Sequence, residues 1–210
     1  MTQQKKGHFF AFEGIDGSGK STQIKFLTQK LRELGMQCYE TREPTDSPIG
    51  SLVHQIMTGR ISADGRVISS LFAADRLDHL TNHVNGICRE IDRGITVVTD
   101  RYYFSSYAYN GVDMDMDWVI ECNRLSAELL RPTLNIFLDI PVSTALDRIA
   151  RNRIHTELYE KEERLTAVRA NYFKVFEQLK DVERVAVIDA DADVETVAQR
   201  VWEAVKQVLP

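Results

Sequence analysis

A glycine-rich stretch near the start of the chain carries the residue types that bind phosphate. Residues 14–21 read Gly-Ile-Asp-Gly-Ser-Gly-Lys-Ser and fit the pattern G-x-x-x-x-G-K-[ST] at every fixed position. Glycines let the backbone turn its N–H groups inward, and a helix that begins after them adds partial positive charge where phosphates sit. Lys20 supplies a mobile full charge, and the Ser21 hydroxyl binds the Mg²⁺ that bridges the terminal phosphates. The pattern therefore predicts a binding loop for a nucleoside triphosphate.

A second candidate site follows an apolar run at residues 96–102, which read Thr-Val-Val-Thr-Asp-Arg-Tyr. An acid that leaves a buried strand beside a phosphate loop, here Asp100, can hold Mg²⁺ directly or through water. Arg101 can stabilise charge on a phosphoryl group during transfer. The alternative is an Asp100–Arg101 ion pair that only closes the strand end. The neighbouring phosphate loop favours the catalytic interpretation.

Five short apolar runs separated by helical patterns are predicted to position these residues. Such alternation is typical of a parallel sheet covered by helices on both faces, with ligands at the carboxyl ends of the strands. We therefore predict one α/β domain of three layers around a five-stranded parallel sheet. The predicted strands are His8–Glu13, Gln37–Thr41, Thr96–Asp100, Leu134–Asp139 and Val185–Asp189, and their ends carry Glu13, Arg42, Asp100 and Asp139.

The stretch 68–91 is predicted to be one helix with two faces. Phe72 and Arg76 are four residues apart, so an aromatic platform and a bidentate donor could meet one flat ligand such as a base. Alternatively, Phe72 extends the core and Arg76 pairs with Asp75 or Asp78 on a solvated face. The helix by itself leaves both interpretations open. Its predicted core stripe consists of Ala73, Leu77, Leu80, Val84, Ile87 and Ile91.

A further helix is predicted after Asp139, and it leads into a charged connection that contains no glycine. This helix turns Ala145, Leu146 and Ile149 inward and then carries Arg148, Arg151 and Arg153. Such a run is usually an exposed segment of mixed charge. Its functional interpretation is a mobile lid, at about residues 148–160, whose arginines close over the triphosphate and exclude water.

Composition limits the class of partner. The chain has 210 residues, 43% of them apolar and 27% charged, which predicts a single globular domain. A net charge of −5 argues against an extended groove for nucleic acid, and no stretch approaches the length of a membrane span. Three widely spaced cysteines without a metal-ligand pattern indicate free thiols in the cytoplasm.

Four segments together resemble the thymidylate kinase family, and the resemblance extends over essentially the full length. The segments are residues 12–22 (FEGIDGSGKST), 41–44 (TREP), 71–76 (LFAADR) and 100–111 (DRYYFSSYAYNG). The resemblance implies the fold of P-loop nucleotide kinases and transfer of the γ-phosphate of ATP to dTMP in the presence of Mg²⁺. It also implies a homodimer.

The same resemblance assigns roles to residues around the acceptor base and sugar. Phe72 would stack on thymine, and Arg76 would bond its carbonyl edge. Ser106 and Asn110 occupy positions that contact the base. Tyr109 occupies the position of a tyrosine that blocks a ribose 2′-OH and so selects deoxynucleotides.

Other roles implied by the resemblance concern the phosphates and the metal. Arg42 and Arg101 would hold the acceptor phosphate, and Asp16 would lie near the sugar 3′-OH and the magnesium site, with Ser21 and Asp100 as the other metal residues. ATP would contact Arg148, which packs on the adenine, and the loop residues Gly14, Ile15, Asp16, Gly17, Ser18, Gly19, Lys20, Ser21 and Thr22.

Two positions depart from the family pattern. Gly17 occupies a position that is basic in one subgroup, and in the other subgroup lid arginines supply the missing charge. This chain therefore resembles the lid-arginine subgroup, with Lys20, Arg101, Arg151 and Arg153 as the catalytic residues. His54 stands where many members are expected to carry an arginine that faces the acceptor phosphate.

Three other functions compete with this interpretation. A deoxynucleoside kinase would phosphorylate a 5′-OH and would need a carboxylate base, a role open to Glu43, although Arg42 and Arg101 favour a phosphate acceptor. A GTPase switch would carry Asn-Lys-x-Asp, which does not occur in this sequence. An ATP-driven assembly subunit would usually be longer.

Overall fold

The five apolar runs form one parallel sheet. The computed structural model describes residues 6–151 and 158–209, with side chains for 6–150 and 162–209. The strands lie in the order β2-β3-β1-β4-β5. Each predicted strand is confirmed to within one residue at either end. The strands are β1 Phe9–Glu13, β2 Cys38–Arg42, β3 Thr96–Asp100, β4 Leu134–Asp139 and β5 Val185–Asp189.

Helices cover both faces of this sheet, which confirms the predicted three-layer architecture. Because the central strands β1, β3 and β4 are almost entirely buried, they read as unbroken apolar runs. Within the described residues the helices are α1 Lys20–Glu33, α2 Pro48–Met57, α3 Gly65–Thr81, α4 Ile87–Asp92, α5 Tyr103–Asn110, α6 Met116–Cys122, α7 Arg124–Leu129, α8 Val142–Arg151, α9 Leu158–Leu179 and α10 Val194–Lys206.

The register of the sheet brings the predicted strand-end residues to one edge. Phe12 and Arg42 are both paired with Asp100, and Glu13 is paired with Phe137, two residues before the end of β4. The loops after β1, β2 and β3 therefore start side by side. This edge is where ligands bind in open parallel sheets.

The prediction of a single helix over 68–91 is wrong. The helix α3 ends at Thr81, and α4 begins at Ile87 after a turn. In that turn the Asn82 side chain accepts a hydrogen bond from the backbone N–H of Val84 at 2.9 Å, so the side chain replaces a helical partner. Val84 is 77% exposed and does not belong to the core stripe, whereas Leu80 and Ile87 are fully buried.

The helix predicted after Asp139 is α8. Ala145 and Leu146 are buried and Ile149 packs against the core, as predicted. The predicted lid, at about residues 148–160, begins within the last turn of α8 and ends within the first turn of α9. Residues 152–157, including Arg153, and the side chain of Arg151 lie outside the described residues. No helix in the described part of the chain is long and apolar enough to cross a membrane.

Candidate active site

The glycine-rich loop has the backbone conformation that phosphate binding requires. It leads from the buried strand β1 into α1, and Gly14, Gly17 and Gly19 have φ angles of +144°, +82° and +94°. Residues other than glycine rarely adopt these φ angles. A Cβ on Gly14 would also lie 2.7 Å from Ser18 Oγ, and one on Gly17 would lie 2.6 Å from the carbonyl oxygen of Ala145. The predicted strand, loop and helix are confirmed.

Lys20 is held inside this loop. Its ammonium group donates to the carbonyl oxygens of Gly14 at 3.1 Å and Ile15 at 3.2 Å, and the residue is 7% exposed. Burial, together with the nearby charge of Arg101, lowers the pKa of Lys20 to about 8. Two backbone carbonyls thus hold the charge of Lys20, whose predicted role toward phosphate stays a prediction. Phosphate oxygens in the loop would be stronger partners for this ammonium group than the two carbonyls.

Ser21 and Asp100 form a pair whose chemistry suits a magnesium ion. The Ser21 hydroxyl donates to Asp100 Oδ2 at 2.9 Å, and the other carboxylate oxygen, Oδ1, is buried without a hydrogen-bond partner among the described residues. Magnesium in kinases is held by one or two carboxylates and by substrate phosphates, and it keeps several waters. Among the described residues no group of three or more His, Cys, Asp or Glu could hold a metal by itself. The pair fits an ion that arrives with the nucleotide.

Arg101 connects the phosphate loop, at Gly14 and Asp16, with Ser105 of α5, the helix that carries the predicted base residues Ser106 and Asn110. Its Nη2 donates to Asp16 Oδ1 at 2.5 Å, and its Nη1 donates to Ser105 Oγ at 3.0 Å and to the carbonyl oxygen of Gly14 at 3.3 Å. Burial alone would lower its pKa, but Tyr109 and Asp16 hold the pKa of Arg101 well above its ordinary value. The guanidinium is therefore a permanent cation. Arg101 also has a φ of +73°, a strained conformation that is common at functional sites.

Asp16, in the phosphate loop, contacts both Arg101 and Tyr109. Its backbone N–H donates to Tyr109 Oη at 3.1 Å, and the Arg101 guanidinium stacks 4.9 Å from the centre of the Tyr109 ring. Burial would raise the pKa of Asp16, but Arg101 and Lys20 together lower it, so the carboxylate remains ionised. The described contacts do not join Asp16 to the predicted metal residues Ser21 or Asp100.

A buried carboxylate behind Arg101 was not predicted from the sequence. Glu13 is fully buried, and its Oε2 accepts hydrogen bonds from Ser105 Oγ at 2.6 Å and from Tyr172 Oη at 2.9 Å. Burial raises the pKa of Glu13, and the hydrogen bond from Ser105 partly offsets this rise. Since Ser105 also accepts from Arg101, the serine links the Arg101 guanidinium to a carboxylate in the core.

Arg76 is buried and has three side-chain partners. Its Nε donates to Glu43 Oε2 at 2.8 Å, and its Nη1 donates to Ser106 Oγ at 3.1 Å and to Asn123 Oδ1. Burial lowers the pKa of Arg76, but Glu43 raises it above its ordinary value. The solvated pair with Asp75 or Asp78 that the sequence left open does not form. Glu43 and Asn123 were not predicted as partners, because no local pattern connects them with α3.

The other predicted base residues lie around Arg76 on two helices that pack together. Phe72 is half-buried on α3, one turn before Arg76. Asn110, at the end of α5, donates to Ser69 Oγ of α3 at 3.1 Å, and Ser106 of α5 accepts from Arg76. The structure therefore brings all four predicted base residues into one region.

Arg42 stands apart from this cluster. Its Nη2 donates to Asp46 Oδ1 at 2.9 Å in an exposed ion pair. The loop that follows Arg42 is fixed by the buried Asp75, which accepts from the backbone N–H of Thr45 at 2.8 Å and from the hydroxyl of Ser47 at 3.0 Å. The loop is ordered, while the arginine side chain at its start remains accessible to a ligand. His54, on α2, is also exposed.

Arg148 lies beside the phosphate loop. Its Nη2 donates to the carbonyl oxygen of Ala190 at 3.2 Å, and its Nη1 is 3.9 Å from the position of a Cβ on Gly19. The arginine therefore spans the space between the start of α1 and the end of β5. The predicted contact of Arg148 with the nucleotide base stays a prediction, and the predicted roles of Arg151 and Arg153 fall outside the described side chains.

Comparison with known proteins identifies the family to which this chain belongs. The family model described as thymidylate kinase matches residues 12–201. A protein of Thermococcus kodakarensis named "Probable thymidylate kinase" is 34% identical over 210 residues, which cover 96% of this chain and 98% of that protein. A "Thymidylate kinase" of Akkermansia muciniphila is 36% identical over 212 residues, which cover 100% of this chain and 97% of that protein. This chain therefore belongs to the thymidylate kinase family.

Proposed function

We infer that this protein transfers the γ-phosphate of ATP to dTMP and releases dTDP and ADP. Arg101 carries the inference, because it is bonded both to the phosphate loop, through Gly14 and Asp16, and to Ser105 of α5, the helix that carries the predicted base residues. A cation at that position can neutralise charge on a phosphoryl group that passes between two nucleotides. The reaction contributes to the supply of dTTP.

The acceptor needs no general base. The phosphate of dTMP is already an anion at neutral pH, so one of its oxygens can attack the γ-phosphorus of ATP in line. A bond forms between that oxygen and the γ-phosphorus, and the bond to the bridging oxygen of ADP breaks and leaves its electron pair on ADP. The protein contributes by positioning the two nucleotides and by placing charged side chains beside their phosphates. Lys20 would bind the donor phosphates from within the loop, and Arg101 would bind the acceptor phosphate.

Magnesium would enter with ATP and would be held through Ser21 and Asp100, with Asp16 nearby. When bound, the ion neutralises charge on the β- and γ-phosphate oxygens. The unpaired Oδ1 of Asp100 supports this assignment, since it provides a buried oxygen with free lone pairs.

The acceptor would lie against α3 and α5. Phe72 would stack on thymine, while Arg76, Ser106 and Asn110 would read its edge. Tyr109 would lie against the sugar, where its ring leaves no room for a 2′-OH. Arg42 would turn from Asp46 to the acceptor phosphate, a change that costs little because the pair is exposed.

The remaining catalytic charge is assigned to the lid, which belongs to the same single domain. Arg151 and Arg153 would supply it, and Arg148 would pack on the adenine. The conformation of Gly17 supports a lid-arginine subgroup. A side chain at that position would meet the backbone of Ala145, so a basic residue could enter the loop only if α8 moved.

The proposed function also leads us to expect a cellular location, an oligomeric state and a set of ligands. We expect a cytoplasmic protein, since all three cysteines are free thiols. We also expect a homodimer, which sedimentation equilibrium would test. Its ligands are the small nucleotides ATP and dTMP, with no nucleic acid and no membrane.

A coupled assay of ADP release across nucleosides and nucleoside monophosphates tests the function. We expect turnover with dTMP and none with thymidine. Turnover with thymidine alone would instead indicate a deoxynucleoside kinase with Glu43 as its base. The geometry argues against that role, because Arg76 and His79 both bind the Glu43 carboxylate, whose side chain is 2% exposed.

A further inference from the structure

Asn123 lies in the turn between α6 and α7 and is fully buried. Its amide Nδ2 donates to the carbonyl oxygen of Val119, one helical turn earlier, at 2.8 Å. That bond determines which end of the amide carries the oxygen, so Oδ1 is directed to Arg76 Nη1. Asn123 is thus an oriented acceptor at the back of the candidate base site.

The protons of Arg76 show why such an acceptor is needed. A guanidinium carries five N–H protons and accepts none. Glu43 binds only one side of the group, through Nε at 2.8 Å and Nη2 at 2.6 Å. The two protons of Nη1 go to Ser106 and Asn123, which lie on other segments of the chain. Without Asn123, one proton of a buried cation has no partner, and Ser106 alone holds the Nη1 side of the guanidinium.

The arrangement also determines the polarity of the site. Because Ser106 Oγ accepts a proton from Arg76, its own hydroxyl proton is free to donate to another group. A guanidinium has no acceptor, so Arg76 can only donate to a base, and Ser106 can add its own hydroxyl proton. A pyrimidine with a carbonyl group at C4 can accept these protons, whereas a 4-amino group would place donor against donor.

We propose that Asn123 is a positioning residue for the acceptor base: by holding Arg76 Nη1 it keeps the guanidinium, which can only donate, in the orientation that selects a 4-carbonyl pyrimidine over a 4-amino one. The proposal rests on the assignment of dTMP as acceptor and extends it to a residue that does not touch the substrate. Positioning groups of this kind act through the residues they hold.

The test compares Asn123→Ala, Asn123→Asp and Asn171→Ala with the unaltered protein. Asp keeps an acceptor oxygen for Arg76 but cannot donate to Val119. Asn171 is the matched control, because its Nδ2 donates to the backbone carbonyl of Ala108 at 3.0 Å, with no described contact to Arg76. Calorimetric Kd values for dTMP and dCMP, KM for ATP and the melting temperature are measured for each protein.

We expect Asn123→Ala to weaken dTMP binding about tenfold and to reduce the preference for dTMP over dCMP by a similar factor, because a bond to a charged group is lost. KM for ATP should stay the same. Asn123→Asp should recover most of the dTMP affinity, and Asn171→Ala should retain all of it.

Several results would overturn the proposal. They are an Asn123→Ala protein with unchanged dTMP affinity, an equal loss for both substrates, an Asp variant no better than Ala, and failure of both Asn123 variants to fold. Any of these would reduce Asn123 to a packing residue. If the unaltered protein bound no dTMP, the assigned function itself would fail, and that result is distinct from the others.

Discussion

Replacement of Lys20 by methionine should separate the stability of the protein from its activity. Met fills a similar volume without a charge. Burial lowers the pKa of Lys20 from 10.5 to about 8. That difference corresponds to about 3 kcal/mol of destabilisation by the charged form. The loop therefore contains an unfavourable charge that nucleotide phosphates would stabilise, and Lys20→Met should abolish turnover without lowering stability at pH 7.

The lowered pKa of Lys20 determines whether the free energy of unfolding rises or falls with pH. Below pH 8 Lys20 is protonated in both the folded and the unfolded chain, and the full penalty of the buried charge is present. Between pH 8 and 10.5 the unfolded chain holds a proton that the folded chain has released, so the free energy of unfolding increases with pH. Lys20→Met has no such group. The stability of the unaltered protein minus that of the variant should therefore rise by up to about 3 kcal/mol across this range.

Urea unfolding at pH 7, 8, 9 and 10 without nucleotide measures this difference. Lys25→Met provides a matched control, because Lys25 is an exposed lysine on the same helix. Its stability difference should stay flat with pH. A flat difference for Lys20→Met as well would refute the burial of the charge, and normal ADP production by Lys20→Met would refute the phosphate-loop assignment.

Three further substitutions test separate parts of the site. Arg76→Ala should raise KM for dTMP far more than KM for ATP and should lower the melting temperature, because it leaves the buried Glu43 carboxylate with His79 as its remaining partner and without the guanidinium charge. Adding Glu43→Gln should restore the melting temperature but not the dTMP affinity, and an equal rise in both KM values would place Arg76 elsewhere. Asp100→Asn should raise the magnesium concentration needed for half-maximal rate, which a magnesium titration would measure; an unchanged requirement would remove Asp100 from the metal site. Joint replacement of Arg151 and Arg153 by Ala should lower kcat on the order of a hundredfold at unchanged dTMP affinity, and a normal kcat would leave catalysis to the remaining cations.

Local sequence patterns were sufficient for the sheet and for the phosphate loop. Buried parallel strands appear in the sequence as continuous apolar runs. The loop is a contiguous motif, and its glycines are needed for backbone conformations that other residues rarely adopt. The prediction failed over 68–91 because apolar spacing continued through a turn. The dipeptide Asn85-Gly86 signals that turn, since a Cβ on Gly86 would lie 2.4 Å from the carbonyl oxygen of Asn82.

The groups behind the site could not be predicted in the same way. Glu13 and Tyr172 are 159 residues apart, and Arg76 and Asn123 are 47 apart, so only the folded chain pairs them. The motif also does not reveal that Lys20 is buried. Its carbonyl partners and its lowered pKa arise from the closed loop and not from the motif itself.

Product analysis tests the central claim most directly. Purified protein is incubated with Mg·ATP and dTMP, and ³¹P NMR follows every phosphorus species. The account predicts that dTDP and ADP appear in equal amounts, that inorganic phosphate does not accumulate, and that ADP formation stops when dTMP is omitted. Release of ADP and inorganic phosphate without dTMP, or formation of dTMP from thymidine at a comparable rate, would contradict it.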